Sequence, residues 1–252
     1  MITLKNSKEI ASMQKSGAIT AAAMMAAKAV IRPGVTTHQI DHAVREAIIS
    51  YGATPSFLGY GGFPGSACVS VNDEVIHGIP GDRVIHEGDL VKVDVGAFFE
   101  GFHGDCAATF AVGEVSEDAR RLMDVTRQSF YEGIKFARVG YRISDISHAV
   151  QAYAESFGYG VVRQFVGHGV GRKLHEDPEV PNFGKPGHGP RLLPGMTIAI
   201  EPMINAGSFD VRVMSDNWTV KTVDHSLSAH YEHSVLITTG DPVLLTKWDE
   251  GI

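Results

Sequence analysis

The first apolar positions along the chain recur at helical spacing. Asn6-Ser-Lys-Glu9 has the form of a capping box with Asn at the cap, and it opens a helix predicted to run to about Arg32, where Pro33-Gly34 ends it. Thr36-Thr-His-Gln39 opens a second helix in the same way; Ile40, Val44 and Ile48 form one apolar stripe, and Gly52 closes it. Residues 53 to 67 are loop-rich, with Gly59, Gly61, Gly62, Pro64 and Gly65. The period then changes. Val91, Val93 and Val95 alternate with Lys92, Asp94 and Gly96, which is the pattern of a strand. From Leu90 to Val112 the chain reads strand, turn, strand, and glycines at 101 and 104 allow a hairpin that brings Asp94 and Asp105 together. A third helix is predicted over Ser116 to about Ala137 and a fourth over Ile143 to about Phe157. Short strands follow between Gly/Pro turns: Val161 to Val166, Thr197 to Met203 and Glu232 to Thr239.

Residues 32 to 52 align with 138 to 158 at an offset of 106, and eight of the 21 positions are identical, among them His42/His148, Ala43/Ala149 and Val44/Val150. Two amphipathic helices can resemble each other by chance. The shared His-Ala-Val favours an ancient duplication, hence a pseudo-twofold fold with a site where the halves meet. Two copies are too few for a solenoid.

Composition narrows the class. At 252 residues, 44% hydrophobic and 20% charged, this is an ordinary globular chain of one large domain or two small ones. A net charge of −7 and the lack of any Lys/Arg run argue against a nucleic-acid surface. The most apolar stretch, Gly17 to Ala27, is 11 residues long, short of the roughly 20 that span a bilayer. With no targeting segment visible, the expected compartment is the cytoplasm. Two cysteines, Cys68 and Cys106, make no disulfide framework and fit a reducing environment.

The candidate chemistry lies in four acids and one histidine: Asp94, Asp105, His168, Glu201 and Glu232. Each sits in a segment that otherwise reads as buried or Gly-tight. Glu201, within Met196-Thr-Ile-Ala-Ile-Glu-Pro-Met203, has apolar neighbours on both sides, and a carboxylate there needs a cation. Taken singly, Asp94 could face solvent. Together, four negative charges balance two divalent ions, and two such ions in one site form a clamp for hydrolysis. His168 lies in Gly167-His-Gly-Val-Gly171, a run without the spacing of a dinucleotide fingerprint. No G-x-S-x-G, C-x-x-C or H-E-x-x-H occurs, so a serine or cysteine nucleophile is unsupported, and Cys106 reads as a packing residue.

Longer stretches carry a resemblance. Val71-Asn-Asp-Glu-Val-Ile-His-Gly-Ile-Pro80, Asp94-Val with Gly101-Phe-His-Gly-Asp105, Gly167-His-Gly-Val-Gly171 with His175-Glu-Asp-Pro178, Thr197-Ile-Ala-Ile-Glu-Pro-Met203 and the segment from Trp218 to His233 follow in order. In these the chain resembles the type I methionine aminopeptidases, over essentially its whole length. The resemblance implies an α+β pita-bread fold: a single catalytic domain over residues 1–252, with pseudo-twofold duplicated halves of roughly 1–115 and 116–252 and a central antiparallel sheet covered by helices. It implies that Asp94, Asp105, His168, Glu201 and Glu232 hold two divalent metal ions. Asp105 and Glu232 would bridge both, Asp94 would hold one, and His168 and Glu201 the other. Glu201 would also carry a proton from the nucleophile towards the leaving amine. His77 and His175 match the histidines that contact the scissile amide. Tyr60, Phe63, Cys68 and Trp218 match the lining of the methionine slot, although plain core packing would also account for them.

The activity so implied is removal of the initiator methionine from nascent polypeptide N-termini, near the ribosome, with small second residues preferred. The enzyme would be a monomer that binds neither nucleic acid nor membrane. The donor set admits Co, Mn, Fe or Zn. Activity should fall at low pH as the ligands take up protons and release metal. Two positions depart from the family pattern. Gly61 stands where a histidine is usual, which touches one substrate contact beyond the cleaved bond. Lys92 stands two residues before Asp94 in place of a small polar residue, and its ammonium is expected to lean away or pair with an acid. An Xaa-Pro aminopeptidase or prolidase is disfavoured because only 93 residues precede Asp94 and the Asn72-to-Pro80 and Trp218-to-Ser228 patterns are absent from that group. A type II enzyme is disfavoured because only 32 residues separate His168 from Glu201. A non-catalytic binding module on the same fold would have lost ligands, and all five are present.

Overall fold

A computed structural model describes residues 1–248; the last four positions of the expected domain lie outside the described residues. Among the described residues four α-helices form: α1 (Ser7–Val30), α2 (Thr37–Ser50), α3 (Glu117–Ile134) and α4 (Ile143–Glu155). Both expected capping boxes are present. The Asn6 side chain accepts from the amides of Lys8 and Glu9 while Glu9 accepts from the Asn6 amide, and Thr36 and Gln39 do the same. Helix ends fall within about three residues of expectation, a normal error for ends that fray.

The helices cover an antiparallel sheet of nine strands among the described residues. Its spatial order is Thr54–Pro55, Leu90–Phe99, Phe102–Ala111, Glu232–Leu236, Thr197–Ile200, Gly167–Gly169, Glu176–Val180. Ala67–Val71 adds to Leu90–Phe99, and Val243–Leu244 to Glu232–Leu236. Leu90–Phe99 shows the expected alternation: Val91, Val93 and Val95 are fully buried in the main core with Met24, Ile40, Val44 and Ile48 of the helices. The helix α1 lies close against Phe102–Ala111 because Gly17 and Gly104 face each other; a Cβ on Gly104 would sit 2.9 Å from the Gly17 Cα.

Residues 53 to 67 are loop-rich, as expected, with only the edge strand Thr54–Pro55, a 3₁₀ turn at Tyr60–Gly62 and the first residue of the strand Ala67–Val71 in regular structure. Three expectations are corrected. The strand expected over Val161 to Val166 shrinks to Gly160–Val161, and the one expected to Thr239 ends at Leu236. The run Thr197 to Met203 breaks. Thr197–Ile200 belongs to the large sheet, whereas Met203–Asn205 pairs with Ser228–His230 and Gly160–Val161 in a separate three-stranded sheet. Pro202 has no N–H for a ladder, so the chain leaves one sheet at Glu201-Pro202 and enters the next. The neighbouring segment makes the same transfer at Tyr231, whose amide donates to the Pro202 carbonyl at 3.2 Å. Glu201 and Glu232 therefore stand at a seam between two sheets.

The two aligned segments have matching local structure. α2 and α4 each follow a glycine of positive φ (Gly34, Gly140), and each has a side chain at the third helical residue that bonds the cap amide. Their cap residues, Thr36 and Arg142, each form an isolated antiparallel bridge, to Val84 and Arg191.

Candidate active site

The register of the large sheet assembles the acids. Cys68 pairs with Asp94, Asp94 with Ala107, and Ala107 with Glu232, so these side chains share one face in a row across four strands. Asp105 lies two residues from Ala107 and so shares that face. Glu201 follows Ile200, which pairs with His233, and this puts it opposite Glu232 at the seam. His168 sits beside Gly169, whose partner is Ile198 on the Glu201 strand. Ligands separated by up to 138 positions thus meet through ladder pairing alone.

His168 Nε2 lies 3.7 Å from Asp105 Oδ2 and 3.6 Å from Glu201 Oε1. Ligand atoms of Asp105, His168 and Glu232 all lie within 4.8 Å of one another, and so do those of Glu201, His230 and Glu232. Asp94 Oδ1, Asp105 Oδ1 and Glu232 Oε1 are buried with no hydrogen-bond partner. A carboxylate oxygen that is both dry and unpaired is costly, by about several kcal/mol per ion, unless a cation is bound. The donor set, oxygen-rich with an imidazole, fits a divalent transition ion. The His168 Nδ1–H donates to the Gly169 carbonyl at 2.8 Å, which turns the Nε2 lone pair towards the acids, as metal-ligating imidazoles are commonly held.

Electrostatics lead the same way. In the protein alone, burial pushes Asp94 up to about 7, opposed by a hydrogen bond with Asp105. Burial raises Asp105 well above its ordinary range, reinforced by the charges of Asp94 and Glu201. Burial likewise raises Glu201 and Glu232, with further repulsion from the acids around them. His168 is pulled down to about 3 and His230 also to about 3, both chiefly by burial. The cluster is short of positive charge.

The acids line a cavity of about 350 Å³ together with Phe57, Tyr60, Phe63, Cys68, Leu174, Trp218, His77 and His175. Every site residue expected from sequence lines this one cavity. Phe63 meets Trp218 edge-on at 5.1 Å, and Trp218 meets His77 at 6.1 Å. His77 is held at φ 58, an uncommon conformation for a non-glycine residue, between the rings of Trp218 and Phe165. Burial lowers it to about 4, so it is neutral at neutral pH. His175 has its Nδ1 2.8 Å from the Tyr60 hydroxyl and its ring 4.1 Å from that of His168. Burial pushes the Cys68 thiol well above its usual range, so it is a neutral, sulfur-rich part of the wall and no nucleophile. Cys106 is buried in the main core, as expected.

Gly61 has φ 55, and a Cβ there would lie 3.3 Å from the Trp218 ring. Lys92 is 2% exposed, and its ammonium donates to the carbonyls of Asn72 at 2.7 Å and Ser228 at 3.1 Å. It has therefore turned to backbone oxygens instead of to an acid, and burial lowers it to about 7. Sequence reasoning missed three residues at this site. Phe57 and Leu174 have no signal beyond being apolar. His230 had one: it stands two residues before Glu232, the spacing that shares a strand face.

A chain with this constellation has known relatives. The model of metallopeptidase family M24 matches residues 11–239. The chain belongs to metallopeptidase family M24. Within it, the chain is 52% identical to a methionine aminopeptidase of Clostridium acetobutylicum, over 98% of this chain and 99% of that one. It is 50% identical to methionine aminopeptidase 1 of Bacillus subtilis, over 98% and 100%. The crystal structure of a methionine aminopeptidase from Thermotoga maritima superposes with a TM-score of 0.96 at 47% identity, covering 98% of this chain and 100% of that one. A prolidase from Pyrococcus furiosus shares the fold with a TM-score of 0.81 at 24% identity, over 98% of this chain and 66% of that one. The architecture is the pita-bread fold.

Proposed function

We propose that the protein is a dinuclear metal-dependent methionine aminopeptidase that removes the initiator methionine from new polypeptides. The observation that carries this reading is one cavity lined both by dry, cation-deficient acids and by apolar and sulfur-bearing side chains. Asp94, Asp105, His168, Glu201 and Glu232 would hold the two ions, drawn from Co, Mn, Fe or Zn. When bound, the ions supply Lewis acidity: they polarise the scissile carbonyl and make water nucleophilic near neutral pH. Glu201 takes the proton released by that water and passes it to the leaving amine. His77 and His175 line the cavity and hold the carbonyl oxygen as it gains charge. The methionine side chain enters between Tyr60, Phe63, Cys68 and Trp218, where burial of its thioether contributes roughly 2 kcal/mol. The substrate's free α-amino group sits against the acids, which confines cleavage to the first residue.

The same reading takes residues 1–252 as one domain with halves of about 1–115 and 116–252 joined across the acids. It makes the substrate a nascent chain at the ribosome, met by a cytoplasmic monomer. Among the described residues no helix is long and apolar enough to cross a membrane. The test is hydrolysis of Met-Ala-Ser against Ala-Pro peptides by metal-reconstituted protein, with metal content measured alongside. Release of methionine with about two ions per chain is expected. Cleavage of the Xaa-Pro peptide alone would mean a proline-specific enzyme, and no cleavage of either with metal bound would mean a binding module.

A further inference from the structure

The mechanism above uses neither of the buried imidazoles of His230 and His233, and of the two only His230 holds a buried ring nitrogen without a hydrogen-bond partner. His230 is 1% exposed, and its Nε2 has no hydrogen-bond partner. Its backbone is fixed on both sides. The Thr109 hydroxyl accepts from the His230 amide and donates to its carbonyl, each at 2.9 Å, and Met203 pairs with His230 in the small sheet. That seat aims Nε2 at Glu201, 3.7 Å from Oε2. The other oxygen, Oε1, faces His168 Nε2 at 3.6 Å. Each oxygen of Glu201 therefore has its own imidazole.

The two imidazoles differ in chemistry. The Gly169 carbonyl takes the Nδ1 proton of His168 and leaves Nε2 as a lone pair. No carbonyl among the described residues receives a ring N–H of His230, so its Nε2 is free to carry the proton and donate. We propose that His230 is a positioning residue for Glu201: its Nε2–H holds Oε2, which keeps Oε1 for the ion beside His168. The proposal rests on the reading of Glu201 as both ligand and proton carrier. Those two duties conflict in a loosely held carboxylate, because a free carboxylate can swing to chelate one ion through both oxygens. A donor on Oε2 opposes that swing. It occupies one of the two lone pairs of Oε2 and leaves the other aimed into the cavity for the proton. The 3.7 Å separation is longer than a hydrogen bond, and catalytic contacts of this kind tighten in the working complex. His230 also borders a second cavity of about 390 Å³ lined by Lys28, Thr109, Arg127 and Trp248.

The experiment compares His230→Leu, which removes the donor at similar volume, with His230→Gln, which keeps an N–H at similar reach. Turnover of Met-Ala-Ser is measured, with calorimetric Co(II) affinity and the visible absorption of the Co(II)-loaded proteins. The expectation is a loss of about 30-fold or more in kcat for His230→Leu with KM within about twofold, and recovery to within about fivefold in His230→Gln. The Co(II) absorption should be the same in all three proteins. Wild-type turnover in His230→Leu, or an equal collapse of both variants, overturns the proposal. A changed Co(II) band in both variants overturns it too, since His230 would then be a ligand itself. Glu201→Ala separates this inference from its premise: if that variant is fully active, the reading of Glu201 fails; if it is inactive while His230→Leu is normal, only the role of His230 fails.

Discussion

The acidic and the apolar lining of the cavity are built largely from different parts of the fold. Asp94 and Asp105 stand on paired ten-residue strands, Glu232 on a paired five-residue strand, and Glu201 directly follows a strand, with registers fixed by backbone ladders and by a core of valines beneath. Tyr60, Phe63, His77, Leu174 and Trp218 come from turns and short connections, His77 itself at positive φ and Tyr60 and Trp218 next to positive-φ Gly59 and Asn217, while Cys68 alone of the apolar lining shares the strand row of Asp94. Metal ligands must be held within a fraction of an ångström, which suits strands. A side-chain slot tolerates adjustment, which suits loops. The comparison teaches that catalytic capacity and specificity are separable in this molecule: damage to the acidic lining should abolish turnover, and damage to the apolar lining should redistribute it among substrates.

The strongest way to break that contrast is at the acids. Asp105→Ala or Glu201→Ala should lower kcat/KM on a Met-Ala peptide by about 10⁴-fold, about 5 kcal/mol, with metal content reduced. Full activity in either variant sinks the dinuclear reading. Beside the acids, His77→Ala or His175→Ala should cost about 10²- to 10³-fold in kcat while metal content, measured by atomic absorption, stays at the wild-type value. In the apolar lining, Trp218→Ala should raise KM by about tenfold and narrow the preference for Met over Leu at the first residue, with kcat less affected. If instead kcat falls and KM holds, the two linings are not separable.

Stability sharpens the comparison further, because the acids oppose folding when no cation is present. Burial raises Asp94 from its ordinary value of 3.8 to about 7, so the folded, metal-free protein binds more protons than the unfolded chain between those values. The Asp94 contribution to stability should therefore fall as pH rises from about 4 to about 7, against the opposite contribution of His77, His168 and His230, whose folded values lie at about 4, 3 and 3, and it should recover when metal is added. Urea denaturation of metal-free wild type and Asp94→Asn at a series of pH values isolates its sign. At pH 7, Asp105→Ala should stabilise the metal-free protein, by on the order of 1 kcal/mol, and destabilise the metal-loaded one. The smallest expected effect is at Lys92. Its ammonium is occupied by the Asn72 and Ser228 carbonyls, so Lys92→Asn should leave metal affinity within about threefold, less than about 1 kcal/mol. A larger gain would show that the charge reaches the ions.

Much of this was legible in the sequence. The caps at Asn6 and Thr36, the valine alternation of 91 to 95 and the hairpin between Asp94 and Asp105 all follow from local rules and all form. What was not legible involved neighbours distant in the chain. The run Thr197 to Met203 reads as one strand because its residues are uniformly apolar, yet it serves two sheets. Only the partner segment around Tyr231, which changes sheets at the same point, makes the break at Glu201-Pro202 intelligible. Phe57 and Leu174 carry no signal beyond being apolar, and His230 carries only its two-residue spacing from Glu232.

The sequence by itself determined the inventory: four acids and a histidine in segments where charge is costly, the elements that carry them, and their order. Those follow from forces acting over a few residues, such as capping, periodicity and the penalty on a lone buried carboxylate. The tertiary structure alone decided which side chains face each other. A strand's faces alternate with every residue, so the row from Cys68 through Asp94 and Ala107 to Glu232 depends on registers between strands far apart in the chain. The same pairing set the seam that gives Glu201 an imidazole on each oxygen.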